Sequence, residues 1–340
     1  MDDNKTFPEF YHTQINLLSP RLGTKVVCAS DDFFGAKERL ILDEEPIFVP
    51  DKYDNNGKWM DGWESRRRRD NGNDWCLVRM GVPGHIFGVN IDTRHFSGNY
   101  PPKASVSACV SDRQPDELSN WSEPLPPFCL DPDSRHFKDF SDAGPWNWLR
   151  LNIFPDGGVA RLRAYGKPFI DWSKKKSNTI HELSALKNGG QIIGYNDAHY
   201  GDVWAILTEG RGTSMGDGWE TRRRRCPGND WIVIGLGAPG IIEKVEIDTA
   251  YFKGNYPDQC SIQGVLLADQ KKKNNLLQTE LEKFSESWNT LMHPQKLSAD
   301  KVHFFSKDNF SNIGPITHLR LNIYPDGGIS RFRVFGKLLL

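Results

Sequence analysis

After Trp75 the chain alternates. Cys76, Val78 and Met80 are apolar at every second position, and the same rhythm returns in Ile232, Ile234 and Leu236. A period of two marks a strand with one buried face. Val89 and Ile91 continue it, as do Val245 and Ile247. Leu149, Leu151 and Ile153 alternate with Arg150 and Asn152, and Leu162 and Ala164 with Arg161 and Arg163. Between the last two segments stands Pro155-Asp156-Gly157-Gly158, whose glycines suit a hairpin turn. The polar partners of these strands, Arg161, Arg163, Arg331 and Arg333, are expected to face outward and to pair with neighbouring acids. Short strands parted by Gly, Pro, Asn and Asp clusters predict an all-β fold built of β-sandwiches.

The pattern occurs twice. Asp61-Gly-Trp-Glu-Ser-Arg-Arg-Arg-Arg69 returns as Asp217-Gly-Trp-Glu-Thr-Arg-Arg-Arg-Arg225. At the same offset Asn73-Asp74-Trp75 meets Asn229-Asp230-Trp231, and Gly98-Asn99-Tyr100-Pro101 meets Gly254-Asn255-Tyr256-Pro257. The block Leu149-Arg-Leu-Asn-Ile-Phe-Pro-Asp-Gly-Gly158 reappears as Leu319-Arg-Leu-Asn-Ile-Tyr-Pro-Asp-Gly-Gly328, now further along. The second copy therefore carries an insertion, placed in the Lys-rich stretch from Lys271 to Glu282 and expected as helix or loop. Copy one has its own insertion, around Asp43 to Lys58. These boundaries predict a first repeat over 1–170, a polar linker over 171–188 and a second repeat over 189–340.

Composition narrows the function classes. The chain has 340 residues, 38% hydrophobic and 26% charged, with a formal net charge of −1. That balance suits a soluble protein of two domains and gives no reason to expect a nucleic-acid or membrane partner. No basic-then-apolar leader opens the sequence, and no apolar run approaches the ~20 residues that cross a bilayer. The six cysteines lack zinc-like spacing and are not repeated between copies, so free thiols and a cytoplasmic setting are expected. The nine histidines form no H-x-H or H-x-x-x-H pair. No Ser or Cys nucleophile elbow, P-loop or dinucleotide fingerprint is present.

The doubled Trp-Glu-[Ser/Thr]-Arg-Arg-Arg-Arg block resembles the allantoicase family. So do Gly72-Asn73-Asp74-Trp75, Arg150-Leu-Asn-Ile-Phe-Pro-Asp-Gly-Gly158 and the opening Ala29-Ser-Asp-Asp-Phe-Phe-Gly35, echoed in Tyr195-Asn-Asp-Ala-His-Tyr-Gly201. The likeness runs from about Gly23 to Lys337. It implies two tandem jelly-roll sandwiches of the galactose-binding and discoidin type. It further implies hydrolysis of allantoate to ureidoglycolate and urea by a homo-oligomer. Copy one departs from the family pattern with Trp148 where copy two has His318, and copy two has Ala198 where copy one has Asp32.

Allantoate carries one carboxylate and two ureido arms on a single carbon. Reading it calls for an Arg fork, and releasing urea calls for an acid and a base. The candidates for substrate binding are Arg66, Arg68, Arg222 and Arg224, with Asp197, His199, Trp63 and Trp219. The candidates for acid–base work are Glu64, Glu220, Asp31, Asp32, His85 and His318. Each has a plainer reading. Four adjacent arginines can form a salt-bridge lattice, Glu64 and Glu220 can be their counterions, turn aspartates often cap backbone N–H groups, and single histidines are often structural. No resident cofactor is expected, although a labile divalent ion held by Asp and Glu stays open. With Asp32 and His85 both in copy one, the two sites are expected to be unequal, with the weight on copy one. The alternative function is a non-catalytic carboxylate- or sugar-binding tandem.

Overall fold

The computed structural model of the chain describes residues 7–267 and 278–339. It divides into two compact units, Met1–Phe169 and Ile170–Leu340. The first opens on a short helix α1 (Glu9–Thr13), then strands β1 (Ile15–Asn16), β2 (Lys25–Ala29), β3 (Tyr53–Asp54), β4 (Gly57–Lys58) and β5 (Trp63–Glu64). It continues through β6 (Asp74–Asp92), β7 (Lys103–Cys109), β8 (Ser122–Cys129) and β9 (Arg135–Asp139). It closes with β10 (Trp146–Phe154), β11 (Gly158–Val159) and β12 (Arg161–Pro168).

One strand organises this unit. The first half of β6 pairs with β2 and β10, and its second half with β9 and β12, all antiparallel. The change of partners falls at Gly81-Val82-Pro83-Gly84. Pro83 offers no N–H to a ladder, and a Cβ on Gly81 would sit 2.0 Å from the Leu22 carbonyl oxygen. The strand therefore bends out of one sheet and into the other. The two faces of a jelly-roll sandwich result: β2-β6-β10-β7-β8 and β1-β12-β6-β9. Between them lie Cys76, Val78, Leu149, Leu151, Ile153, Val89, Ile91 and Leu162, all fully buried, as the alternation predicted. Each such aliphatic side chain contributes about 1.5–3 kcal/mol of burial.

The second unit repeats the plan with β13 (Ile180–Glu182), β14 (Gln191–Tyr195), β15 (Trp219–Glu220), β16 (Asp230–Asp248) and β17 (Gln259–Val265). A helix α2 (Gln278–Glu286) follows, then β18 (Asn289–Lys296), β19 (Val302–Ser306), β20 (Ile316–Tyr324), β21 (Gly328–Ile329) and β22 (Arg331–Leu338). Here β16 is the shared strand, serving β14 and β20 first, then β19 and β22.

Three expectations need correction. Pro-Asp-Gly-Gly does not close a hairpin, because β10 and β12 do not pair with each other. It carries the chain from one sheet to the other, and β11 pairs with β5 on the way. The expected linker is shorter than 171–188. Ile180–Glu182 pairs with β22, and Leu183, Ser184, Ala185 and Leu186 are buried, so these residues belong to the second unit. Arg161, Arg163 and Arg331 do not face outward; all three are buried, and Arg161 and Arg331 are each clamped by an aspartate, Asp61 and Asp217. Of the Lys-rich insertion, residues 278–282 form the start of α2, and 271–277 lie outside the described residues. The insertion of copy one contains the β3–β4 hairpin.

Candidate active site

In the first unit β2 and β10 both run towards the start of β6, and β5 and β11 meet beside it. The loops at this end collect the doubled motifs. Trp63 packs fully buried beneath them and donates its indole N–H to the Asp31 carbonyl at 2.8 Å. Glu64, the next residue, pairs with Gly158, which sets its side chain at the sandwich rim. Both glycines of the Pro-Asp-Gly-Gly turn are sterically required. Gly157 has φ +140, and a Cβ on Gly158 would lie 2.0 Å from the Phe96 ring.

Glu64 is half-buried, and its Oε1 accepts a 2.6 Å hydrogen bond from Asn99 Nδ2. Burial raises its carboxyl above the usual glutamate range, and the Asn99 donor offsets part of the rise. Among the described residues no arginine pairs with it. The arginines of the tetrad that form ion pairs, Arg66, Arg67 and Arg68, form them with aspartates. Asp31 accepts from the Arg66 backbone N–H at 2.9 Å and from its Nε at 2.8 Å. Burial pushes the Asp31 carboxyl up, but these bonds prevail and hold it below its ordinary value. Arg68 forks onto Asp70 and reaches Asp74, which is 1% exposed. Asp156 accepts the Arg68 backbone N–H at 2.8 Å and stands 3.5 Å from Arg67 Nε.

The second unit rebuilds the arrangement. Trp219 is buried and donates to the Asp197 carbonyl, Asn255 donates to Glu220, and Arg222 pairs with Asp197. Arg224 reaches Asp230 at 2.7 Å, and its backbone N–H donates to Asp326. As with Asp31, burial raises the Asp197 carboxyl, while the Arg222 bonds outweigh it and bring it down. Exposed His199 stacks edge-on against Tyr200, which bridges to Glu220.

Several candidates stand elsewhere. His85 follows the bend of β6, at the opposite end of the sandwich, edge-on to Phe169 at 5.4 Å. His318 is 2% exposed, near the start of β20 and packed edge-on to Trp288, whereas the rim lies at that strand's other end. Trp63 and Trp219 have no surface to offer a substrate; they are the floor of the rim. Asp32 is half-buried and paired with Lys37 at 3.2 Å. Sequence reasoning missed Asn99, Asn255, Asp156 and Asp326 as site residues, although the doubled Gly-Asn-Tyr-Pro and Pro-Asp-Gly-Gly blocks carried them. Among the described residues no three His, Cys, Asp or Glu side chains converge as metal ligands.

The class defined by this fold and rim is a duplicated jelly-roll protein whose copies each present a shielded glutamate beside an aspartate-braced arginine run. An allantoicase-repeat family model matches twice, over residues 15–169 and 181–339. A probable allantoicase of Burkholderia mallei is 49% identical over 332 residues, covering 97% of this chain and 96% of that protein. A probable allantoicase of Pseudomonas fluorescens is 47% identical over 335 residues, covering 98% and 99%. The crystal structure of the Saccharomyces cerevisiae allantoicase aligns with TM-score 0.77 at 33% identity, covering 95% of this chain and 92% of that one. The chain belongs to the allantoicase family.

Proposed function

We propose that the protein hydrolyses allantoate to ureidoglycolate and urea, using Glu64 in the first repeat and Glu220 in the second. In this reaction the bond from the central carbon to one ureido nitrogen breaks, and a bond to a water oxygen forms. One proton must leave the water and one must reach the departing nitrogen. A single carboxylate can take the first and return it as the second. The observation that carries the reading is the Asn-held glutamate found in both copies at one loop end, with no arginine paired to it among the described residues. Burial raises the Glu64 carboxyl, which makes its carboxylate a stronger base.

The substrate carboxylate is assigned to the arginines with guanidinium surface to spare. Arg68 and Arg224 are spent on aspartates and hold the loop. Arg66 and Arg222 give one edge to Asp31 and Asp197 and remain about two-thirds exposed, at 62% and 67%. Arg67 is 70% exposed, and its counterpart Arg223 is exposed too. These four can fork a carboxylate. Asp197 and His199 are assigned to the ureido arms of the second site, through Asp197's hold on Arg222 and the exposed imidazole. A ureide substrate needs no nucleotide or redox cofactor for this chemistry. The cytoplasmic setting and homo-oligomeric assembly implied by the sequence are part of the same proposal.

The test is urea release from allantoate by folded protein, with and without added divalent ions. Glu64→Gln and Glu220→Gln should each halve the rate at saturating substrate. The double variant should lose ~10²–10⁴-fold, as expected for a missing general base. Full activity in the double variant would remove both glutamates from the mechanism.

A further inference from the structure

The outward face of the β2-β6-β10-β7-β8 sheet differs between the repeats in a way the rim chemistry does not use. On β10 the residues opposite the buried Leu149, Leu151 and Ile153 are Trp148, Arg150 and Asn152. Their equivalents on β20 are His318, Arg320 and Asn322.

Arg320 is saturated. It is 2% exposed, with its guanidinium 4.7 Å from the Trp231 ring. Its Nε donates to Asn322 at 2.8 Å, and its Nη1 to the Glu282 carbonyl at 3.0 Å and the Ser285 hydroxyl at 2.9 Å. Glu286 stands 3.8 Å away. The last three oxygen groups come from α2, which also lays Leu281 into a cluster with Trp231, Val233 and Trp288. The helix is seated over Gly194, where a Cβ would come within 2.6 Å of Leu281.

Repeat one has the arginine but not the helix. Cys28 takes the place of Gly194, each paired in the same register, with Leu77 and with Val233. Arg150 lies 4.9 Å from the ring of Trp121, which is pinned by its indole N–H to the Asp116 carbonyl at 2.8 Å. Among the described residues Arg150 has no hydrogen bond or ion pair, and its Nε is buried without a partner. Trp75 is left half-buried, whereas its counterpart Trp231 is covered. Lys25 and Arg79, paired across β2 and β6, add two exposed cations to this face. The nearby Asp116 carboxylate is already engaged by Leu118 N–H and Ser119 Oγ.

We infer that this face of the first repeat is a binding site for a small carboxylate carrying a planar amide or ureido group, distinct from the rim. Arg150 supplies the charged fork, Trp75 and Trp121 the flat walls, and Asn152 and Ser107 the neighbouring polar groups. The second repeat shows the kind of partner the position takes: oxygen acceptors presented to the arginine beside a tryptophan. There the chain supplies them itself; here an anion from solution does. Among the described residues Arg150, Lys25 and Arg79 have no acid partners, which favours an anion over a neutral ligand.

The probe is hydantoate, which has one carboxylate and one ureido arm. Calorimetric titration of the full chain should show saturable binding that persists in the Glu64→Gln/Glu220→Gln double variant. Arg150→Met should weaken it at least about tenfold, the worth of one charge-assisted hydrogen bond. Arg150→Lys, which keeps the charge and loses the fork, should also weaken it and serves if the Met variant does not fold. The uncharged amide of hydantoate should bind worse than hydantoate, and urea release from allantoate should stay near wild type in the Arg150 variants. Absence of saturable binding, unchanged affinity in a folded Arg150 variant, or loss of binding in the double glutamate variant alone would overturn the site. Collapse of urea release in step with hydantoate affinity in the Arg150 variants would overturn its separateness from catalysis.

Discussion

Removing the Asp61 carboxylate should destabilise the first unit far more than its place in a loop suggests. Arg161 is 1% exposed, and its five N–H groups are met by four contacts: Nε to the Glu44 carbonyl, Nη1 to the Asp61 and Ala160 carbonyls, and Nη2 to Asp61 Oδ2 at 2.9 Å. Asp61 Oδ2 also accepts the Ile47 N–H at 3.0 Å, so it ties the insertion to the core. In Asp61→Ala the guanidinium stays buried with its countercharge gone. Breaking a buried pair from one side costs about 3–5 kcal/mol. With a urea dependence of about 2 kcal/mol per molar, the unfolding midpoint of the first unit should fall by roughly 1.5–2.5 M. The paired change Asp61→Ala/Arg161→Met removes the stranded charge and should recover most of that loss. The assay is urea unfolding followed by far-ultraviolet circular dichroism and tryptophan fluorescence. A midpoint shift under ~0.5 M for the single variant, or no recovery in the pair, would refute the buried-charge argument, since neither fits the cost of a stranded ion. Asp217→Ala should act alike on the second unit, through Arg331.

Three further outcomes follow. In a Glu220→Gln background, where only the first site reports, kcat/KM should fall as pH drops through the Glu64 pKa, and Asn99→Ala should move that limb to higher pH, because the Asn99 donor favours the ionised form; an unmoved limb would detach Glu64 from the profile. Gly158→Ala should cost about 1–3 kcal/mol by overpacking, since its Cβ would meet Phe96 at 2.0 Å, and it should lower activity by displacing Glu64; a neutral effect on both would contradict the packing. Mass spectrometry after alkylation without reductant should find all six cysteines free, and a stoichiometric disulfide would overturn the cytoplasmic reading.

Period-two alternation exposed the strands because one sandwich face is dry and the other is not. Cys76, Val78, Leu149 and Leu151 were readable for that reason. The bend in β6 was not. Gly81 and Pro83 read as ordinary turn residues, and only the pairing reveals one strand shared by two sheets. Pro-Asp-Gly-Gly misled in the same way, since local turn chemistry is identical whether the chain doubles back within a sheet or crosses to the other. The arginine faces could not be sorted by strand periodicity, because only Trp63–Glu64 is strand and the tetrad itself runs as irregular chain braced by Asp31, Asp74 and Asp156. Asp74 is near in sequence, but Asp31 and Asp156 are distant, and no spacing rule links Asp156 to Arg68. Repetition did carry the signal: a residue needed at both rims must recur, and Asn99 and Asp156 did.

The same criterion decides how alike the two rims are. Sequence favoured copy one because Asp32 and His85 have no polar equivalents in copy two. Neither residue serves the rim: His85 sits at the far end, and Asp32 is occupied by Lys37. What does serve it is duplicated, in Asp31 and Asp197, Glu64 and Glu220, Asn99 and Asn255, Asp74 and Asp230, Asp156 and Asp326. The differences that remain lie around this frame. Asp70, which forks Arg68, is replaced by Cys226, so Arg224 relies on Asp230 and the Pro227 carbonyl. Phe33, stacked on Arg66 and held through its carbonyl by Asn56 of the inserted hairpin, stands where copy two has His199. A shared frame with unlike surroundings fits two working sites whose substrate affinities differ more than their turnover. Separate Glu64→Gln and Glu220→Gln variants should therefore show similar kcat and different KM. A rate wholly lost in one and untouched in the other would return the weight to a single live copy.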